Sequence, residues 1–470
     1  MTLTPVQQAA YDDISSHLED GWFSGVNEDD LNAIRDTLGD LGATDADAVI
    51  DAMADAGKLQ KFADELNQGE FAGIGQDGLS NDERKALFAD LAGKLDGDSL
   101  ANFSNAIAEA ESKHTDFQYV TELGDAVATH ASPQVKLDYI EGLSDKVDGE
   151  GITDVNLGGG SSTRNVDSEA GAIGTVLGSM NGSWAEQAFG SLSSEQLDAV
   201  LATGIDETVR VSGSSVTSSF DTARYEDVLR AAGTMNDADL KARIFDAAAK
   251  PLRTVRDADD FPAISLNDED LQGMSAALTS LIESDTTGIV RELTYNTETQ
   301  DGSALATYSQ VMIETGQTEK LANHMTKLQF GNDLSENAIE RLDEVTVRGG
   351  QEFRENAAAL GYFTGAVYAG AEAHSGDVKK QQEVITGFLD FVLGKIPGAG
   401  GIKPTDAFLG QDMVKAAVEA AINDPGAAPA QRLERAALPQ NPGTGELAVG
   451  DPITNSFDTT INRVIRAAQP

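Results

Sequence analysis

Apolar residues recur at intervals of three and four through most of this sequence, the spacing of one face of an α-helix. Leu87, Phe88, Leu91 and Leu95 form one such set, and Leu197, Val200 and Leu201 another. The helix starts share one dialect. In "LSSEQLDAVLATG" Ser193 is placed to cap while Gln196 reaches back, with Leu192 and Leu197 at the staple positions on either side. "MNDADLKARIFDAAA" repeats the layout with Asn236 and Asp239, and "LNDEDLQGMSAALTS" with Asn267 and Asp270. Ser80 and Glu83 form the same pair, although Arg84 stands where the staple would close. Thr4 and Pro5 open the first helix as cap and first turn. Helices of roughly 10 to 20 residues joined by short polar turns are expected. No fixed repeat period of the kind that marks a helical array is present.

Three stretches break the pattern. From Lys146 to Gly171 helical periodicity vanishes and Gly158 to Gly160 supply flexibility, so a domain boundary is expected there. From Asp206 to Asp221, Val209 and Val211 alternate around a Ser/Gly turn and the chain returns through Val216, which predicts a small β-hairpin. After Asn423 proline and glycine concentrate, and an extended tail with one or two short helices is expected. The fold class that follows is mainly α, a multi-domain bundle of short helices and helical hairpins with one small β-hairpin near 206–220. Its domains would be an acidic helical domain 1–148, a Gly-rich linker 149–166, a main helical domain 167–423 and a Pro/Gly-rich tail 424–470.

One run departs from the amphipathic norm. "AAALGYFTGAVYAGAEA", residues 357–373, belongs to 16 uncharged residues between Glu355 and Glu372. As a helix these span about 24 Å, short of the roughly 20 apolar residues that a bilayer core requires. Ala357, Gly361, Gly365, Ala369 and Ala373 form a ridge of small residues at i+4 spacing, beside a second row of Ala358, Tyr362, Ala366 and Gly370. Such rows let another helix approach closely. The expected partner is the next apolar segment, with Ile385, Phe388, Leu389, Val392 and Ile396 as its bulky stripe, giving a helical hairpin over 352–396. A bilayer entered after rearrangement and a subunit interface are the other readings of the same ridge.

Charge sharpens the picture of partners. The 470 residues carry 78 Asp plus Glu against 33 Lys plus Arg, a net charge of -45. Such a field repels phosphate, so no nucleic acid partner is expected. A solvated surface, adaptation to high salt and a basic partner protein all fit it. Cysteine is absent, which excludes disulfides, thiolate metal sites and a cysteine nucleophile. The first twenty residues lack a basic segment followed by an apolar core. The expected localisation is cytoplasmic in the producer, and a chain of this kind that is secreted or delivered would be carried by a dedicated machine without a cleaved Sec-type leader.

Chemical motifs fail on their mechanics. "GIGQDG", Gly73 to Gly78, has dinucleotide-turn spacing with Asp96 and Asp98 further on, but a helical pattern precedes it where a strand is needed. The acidic clusters at Asp96 to Ser99 and Asp145 to Gly151 miss the calcium-loop pattern, because the fifth positions are Leu100 and Ile152. His17, His114, His130, His324 and His374 stand singly without an i+3 or i+4 partner, and each reads as a lone surface residue. No cofactor or metal site is nominated, catalytic residues stay unassigned, and an enzyme is the less favoured class. A hydrolase assembled from scattered carboxylates remains as an alternative.

Four segments carry a family resemblance: "DSEAGAIGTVLGSMNGSWAEQAFGSLSSEQLDAVLATG", "DADLKARIFDAAAKPLRTVR", "SDTTGIVRELTYNTETQDGSALATYSQVMIETG" and "NAAALGYFTGAVYAGAEAHSGDVKKQQEVITGFLDFVLG". Over roughly residues 165–395 the chain resembles the helical region of bacterial secreted effectors and polymorphic-toxin-like proteins. The resemblance implies a delivery or carrier module acting through protein contacts with a secretion component, chaperone or target. In that family such a module normally precedes a toxic domain, whereas here only about seventy residues follow Ile396 and carry no catalytic motif. A pore-forming or membrane-perturbing toxin built on the 352–396 hairpin is an alternative of a different class.

Overall fold

The structure is a computed structural model that describes residues 2–19, 26–66, 78–111, 119–147, 153–156, 161–164, 167–212, 215–258, 268–297, 299–330, 351–374 and 451–468. The chain is mainly α, and its contacts divide into two units, Met1–Asn236 with Asp257–Asp270, and Asp237–Arg256 with Leu271–Pro470.

In the first unit the helices are α1 (Pro5–His17), α2 (Glu28–Asp40), α3 (Ala43–Asp55), α4 (Lys58–Leu66), α5 (Asn81–Lys94), α6 (Gly97–Glu111), α7 (Tyr119–His130), α8 (Pro133–Ser144), α9 (Ser168–Gly178), α10 (Gly182–Ser191), α11 (Ser194–Ala202) and α12 (Ala223–Gly233). The capping boxes at Ser80 and Ser193 form and Thr4 caps α1, as the sequence predicts, while Thr4 with Gln7 and Asn27 with Asp30 add two boxes that had not been singled out. Leu87, Phe88, Leu91, Leu95, Leu197, Val200 and Leu201 are all buried. Phe103 joins the core across helices, stacked on Phe62 at 5.7 Å and edge-on to Phe88 at 6.1 Å. Arg84, which leaves the hydrophobic staple open, is itself buried. Its guanidinium makes a bidentate pair with Glu122 at 2.8 and 3.0 Å and lies over the Tyr119 ring, which accounts for a cation at that depth.

The expected hairpin is present as β3 (Asp206–Ser212) and β4 (Ser215–Asp221). It does not stand alone. The stretch expected to be a linker contributes a second hairpin, β1 (Thr153–Asn156) and β2 (Ser161–Arg164), and β1 pairs in parallel with β3 in a sheet of order β2-β1-β3-β4. The boundary expected at 149–166 is corrected accordingly. Backbone pairing engages Thr153–Asn156 and Ser161–Arg164, and α9 after them packs on α7 and α8 before them. Loss of helical periodicity there marks a change of secondary structure inside one unit.

The second unit is built on α13 (Ala238–Ala258), α14 (Asp268–Ser284), α15 (Thr286–Tyr295), α16 (Ser303–Glu314), α17 (Thr318–Phe330), a ridge helix (Gln351–His374) and a further helix (Asp451–Ala468). The cap of α13 differs from the expected Asn236–Asp239 box. Helix α13 begins at Ala238, so Asp237 stands at the cap and accepts from the Leu240 N–H at 3.0 Å, while the Asn236 N–H donates to Glu186. Within 424–470, where an extended tail with one or two short helices is expected, the described residues 451–468 form an amphipathic 18-residue helix that buries Ile461 and Val464.

Candidate functional site

Three arrangements could carry a function, and each starts from a local feature of the sequence. The first is an acidic cleft in the first unit. Asp96 precedes α6 and accepts from the Ser99 N–H at 2.8 Å, so "DGDS" is the entry to a helix. The next residue, Gly97, lies against α8, where a Cβ would fall 2.6 Å from the Tyr139 nitrogen and 2.7 Å from the Val135 oxygen. One turn further along the seam, a Cβ on Gly142 would fall 2.6 Å from the Ala101 Cβ. Glycine at both points draws α6 and α8 together and sets Asp96 and Asp98 beside the acids of α3. The result is a cleft of about 390 Å³ lined by Asp51, Asp96, Asp98, Ala101, Asn102 and Gly142.

Asp47 reaches the same corner and accepts from the Asp96 N–H at 2.8 Å. Partial burial, reinforced by repulsion from Asp96, raises the pKa of Asp47 and Asp51 above the ordinary carboxylate value. Such a corner favours an approaching cationic group. Among the described residues no group of three or more His, Cys, Asp or Glu is placed to hold a metal ion.

The second arrangement is the ridge helix. It is surrounded by α15, α16, α17 and the 451–468 helix, which explains the uncharged run: a helix enclosed on every side has no polar face to keep. Ala357, Gly361, Gly365 and Ala369 are buried, and Ala373 is exposed at the helix end. Gly365 faces the 451–468 helix, where an added Cβ would lie 3.0 Å from the Val464 Cβ and 3.3 Å from the Ile461 oxygen. Gly370, in the second row, meets α16 at 2.7 Å from the Gln310 nitrogen and 2.8 Å from the Ala306 oxygen.

The Tyr362 hydroxyl donates to the Thr299 carbonyl at 2.6 Å, and Arg463 donates to the Thr294 carbonyl at 2.9 Å. Close helix packing is therefore what the small residues provide. The helix seated on the Gly365 row comes from 451–468. The stripe of Ile385, Phe388, Leu389, Val392 and Ile396 lies outside the described residues, as does the second arm of the 352–396 hairpin. No helix among the described residues is long and apolar enough to cross a membrane.

The third arrangement corrects the surface reading of His324. This residue of α17 is fully buried, its ring 6.2 Å from that of Tyr308 and edge-on to Phe363 of the ridge helix at 6.3 Å. Its Nε2 lies 3.1 Å from the Tyr308 hydroxyl, which in turn lies 2.9 Å from Thr279 Oγ1. Thr279 donates to the Ser275 carbonyl at 2.7 Å. The direction of the chain follows: Thr279 accepts from Tyr308, and Tyr308 accepts from the Nε2–H of a neutral imidazole. Nδ1 has no hydrogen-bond partner among the described residues. Of the other histidines, His17 lies 3.0 Å from Asp30, His374 lies 3.6 Å from Glu314, and His130 is exposed. His114 is outside the described residues, as is "GIGQDG" apart from Gly78. Because α17 buries a polar ring at an ordinary helical position, no spacing signal marked His324.

These features define a class, a mainly α-helical protein with, among the described residues, a small four-stranded sheet. No family model matches the chain, and no curated protein matches it. Among solved structures it is similar to a circular tandem repeat protein with novel repeat topology, at 12% identity and a TM-score of 0.24 over 98% of this chain and 82% of that one. It is also similar to the RNA-binding domain of yeast Puf5p bound to AAT2 RNA, at 12% identity and a TM-score of 0.25 over 92% of this chain and 97% of that one. Scores this low carry no function across.

Proposed function

We propose that this protein is a helical interaction module that acts through protein contacts and engages a basic partner. The observation that supports it best is the distribution of charge over the fold. Apolar side chains fill the helical interiors, while 78 acids against 33 bases leave a carboxylate surface for a partner to meet. That surface turns concave where Asp51, Asp96 and Asp98 line the cleft. A Lys or Arg side chain there would relieve the repulsion that now raises Asp47 and Asp51. The resemblance of residues 165–395 to the helical region of bacterial secreted effectors supports a setting in delivery, with a secretion component, chaperone or target as the partner.

The test is crosslinking of the full chain in its native cell, followed by mass spectrometry and titration of the recovered complex with salt. A single basic protein at stoichiometric yield, released as ionic strength rises, is expected. Recovery of the chain alone, or of nucleic acid as the retained species, would overturn the proposal.

A further inference from the structure

A buried imidazole with one free nitrogen is tolerable only while it stays neutral. His324 meets this condition through the donor sequence from Nε2–H to Tyr308 to Thr279 to the Ser275 carbonyl, which leaves Nδ1 as a bare lone pair. Protonation would place a second N–H and a positive charge there, with no acceptor for either among the described residues. The price of such an uncompensated charge is large in an apolar interior.

The surroundings offer little to offset it. On α17 itself, Lys320 and Lys327 both oppose a proton on the ring. From α16 the facing titratable group is the Tyr308 phenol, which Glu283 of α14 influences in turn. Phe245 of α13 packs edge-on to Tyr308 at 5.6 Å. Helix α15 buries Ile289, Val290 and Leu293, and its Arg291 is paired with Glu355 at 2.6 Å. The ridge helix presents Phe363, and its sequence has no charged residue from Asn356 to Ala371.

We propose that His324 is an acid-sensitive latch: a proton gained on Nδ1 breaks the seam between Tyr308, His324 and Phe363 and releases the ridge helix from α16 and α17. The seam joins three helices at one ring, so its loss is felt where the ridge helix is held. Burial, followed by Lys327 and Lys320, pushes the ring down from its ordinary value to about 3 in the folded chain. The sign follows from linkage. Between pH 6.5 and pH 3 the opened chain binds a proton that the closed chain refuses, so closure is strongest above pH 6.5 and weakens as pH falls. The opening equilibrium gains up to about tenfold for each pH unit across that window.

Hydrogen exchange of the 356–371 segment in the full chain, corrected for intrinsic rates, tests this between pH 7.5 and 4.5. The wild type should lose protection progressively below about pH 6.5, while His324→Phe, an apolar ring of similar reach, should lose that dependence. Equal pH dependence in the two chains would overturn the latch. Should the variant fail to fold, histidine-selective nitrogen NMR of the wild type decides. A ring that stays neutral until the segment opens is the expected result, and one that takes up its proton near pH 6.5 with the segment still protected would refute it.

Discussion

The seam between α6 and α8 and the seam between the ridge helix and α16 use the same device in opposite surroundings. At each, glycine lets a backbone approach that a Cβ would forbid: Gly97 and Gly142 in the first unit, Gly370 in the second. The first seam ends in Asp96 and Asp98 beside Asp51, on the wall of a cleft. The second is sealed, and the ionisable group behind it is a buried histidine. Close packing thus gathers carboxylates at one seam and excludes charge at the other. The two should answer acid in opposite directions. A raised carboxylate binds its proton more tightly in the folded chain, so the cleft is stabilised as pH falls, while His324 makes the second unit weaker.

The largest expected effects come from filling the glycines. Gly97→Ala and Gly370→Ala each push a methyl into backbone and should cost about 1–3 kcal/mol, read as loss of exchange protection confined to the unit that holds the residue. Gly142→Ala sharpens the comparison, because its main obstacle is the side chain of Ala101. The double variant Gly142→Ala with Ala101→Gly should recover part of the loss, and a double-mutant cycle with no coupling would show that contact between positions 101 and 142 does not limit the approach of the two helices.

Next in size is the hydroxyl of Tyr362. It is buried and donates to the Thr299 carbonyl, so Tyr362→Phe removes one bond, while the carbonyl keeps the bond it accepts from the Gly302 N–H at 3.1 Å. A loss of about 1 kcal/mol is expected, visible as a lower denaturation midpoint for the second unit. The start of α13 yields an effect of similar scale with a sharper contrast. Asp237→Ala should cost about 1 kcal/mol and Asn236→Ala much less. The reverse order would restore the cap position that the sequence pattern favoured.

That shift of one residue shows what was legible and why. Capping and periodicity are local, so Ser80, Ser193, Leu87 and Leu201 could be placed from their neighbours alone. "MNDADL" offers two adjacent cap residues, and only the fold decides between them, by engaging the Asn236 N–H with Glu186. The parallel pairing of β1 with β3 spans some fifty residues and leaves no local trace beyond a loss of helical period. The ridge announced close packing through its i+4 row, yet nothing in the row names the helix that fills it, and the tail pattern predicts short helices without a sign of the length or the packing partner of 451–468. The cleft was visible as acidic text at Asp96 and Asp98. Its third wall, Asp51, joined only when Gly97 and Gly142 brought the helices together.

The smallest predicted effect bears most directly on the opposition between the two seams. Asp51 stands near Asp96, Asp55 and Asp98, and burial with their repulsion raises its pKa, opposed by the hydroxyl of Ser99 at 3.5 Å. Its folded value lies above its unfolded one, so the folded chain gains stability as pH falls through the raised value toward the unfolded one, and lacks that gain at neutral pH. Asp51→Asn imposes the uncharged state at every pH. It should stabilise the first unit at pH 7 by about 0.5 kcal/mol or less, and the difference from wild type should shrink on acidification as the natural carboxyl takes up its proton. The same substitution should leave the pH response of the 356–371 segment unchanged. If exchange in that segment shifted with Asp51→Asn, the acid response assigned to His324 would have to include the cleft. If the first unit lost stability instead, the Ser99 hydrogen bond would outweigh the repulsion, and the case for a basic group seated among these carboxylates would weaken with it.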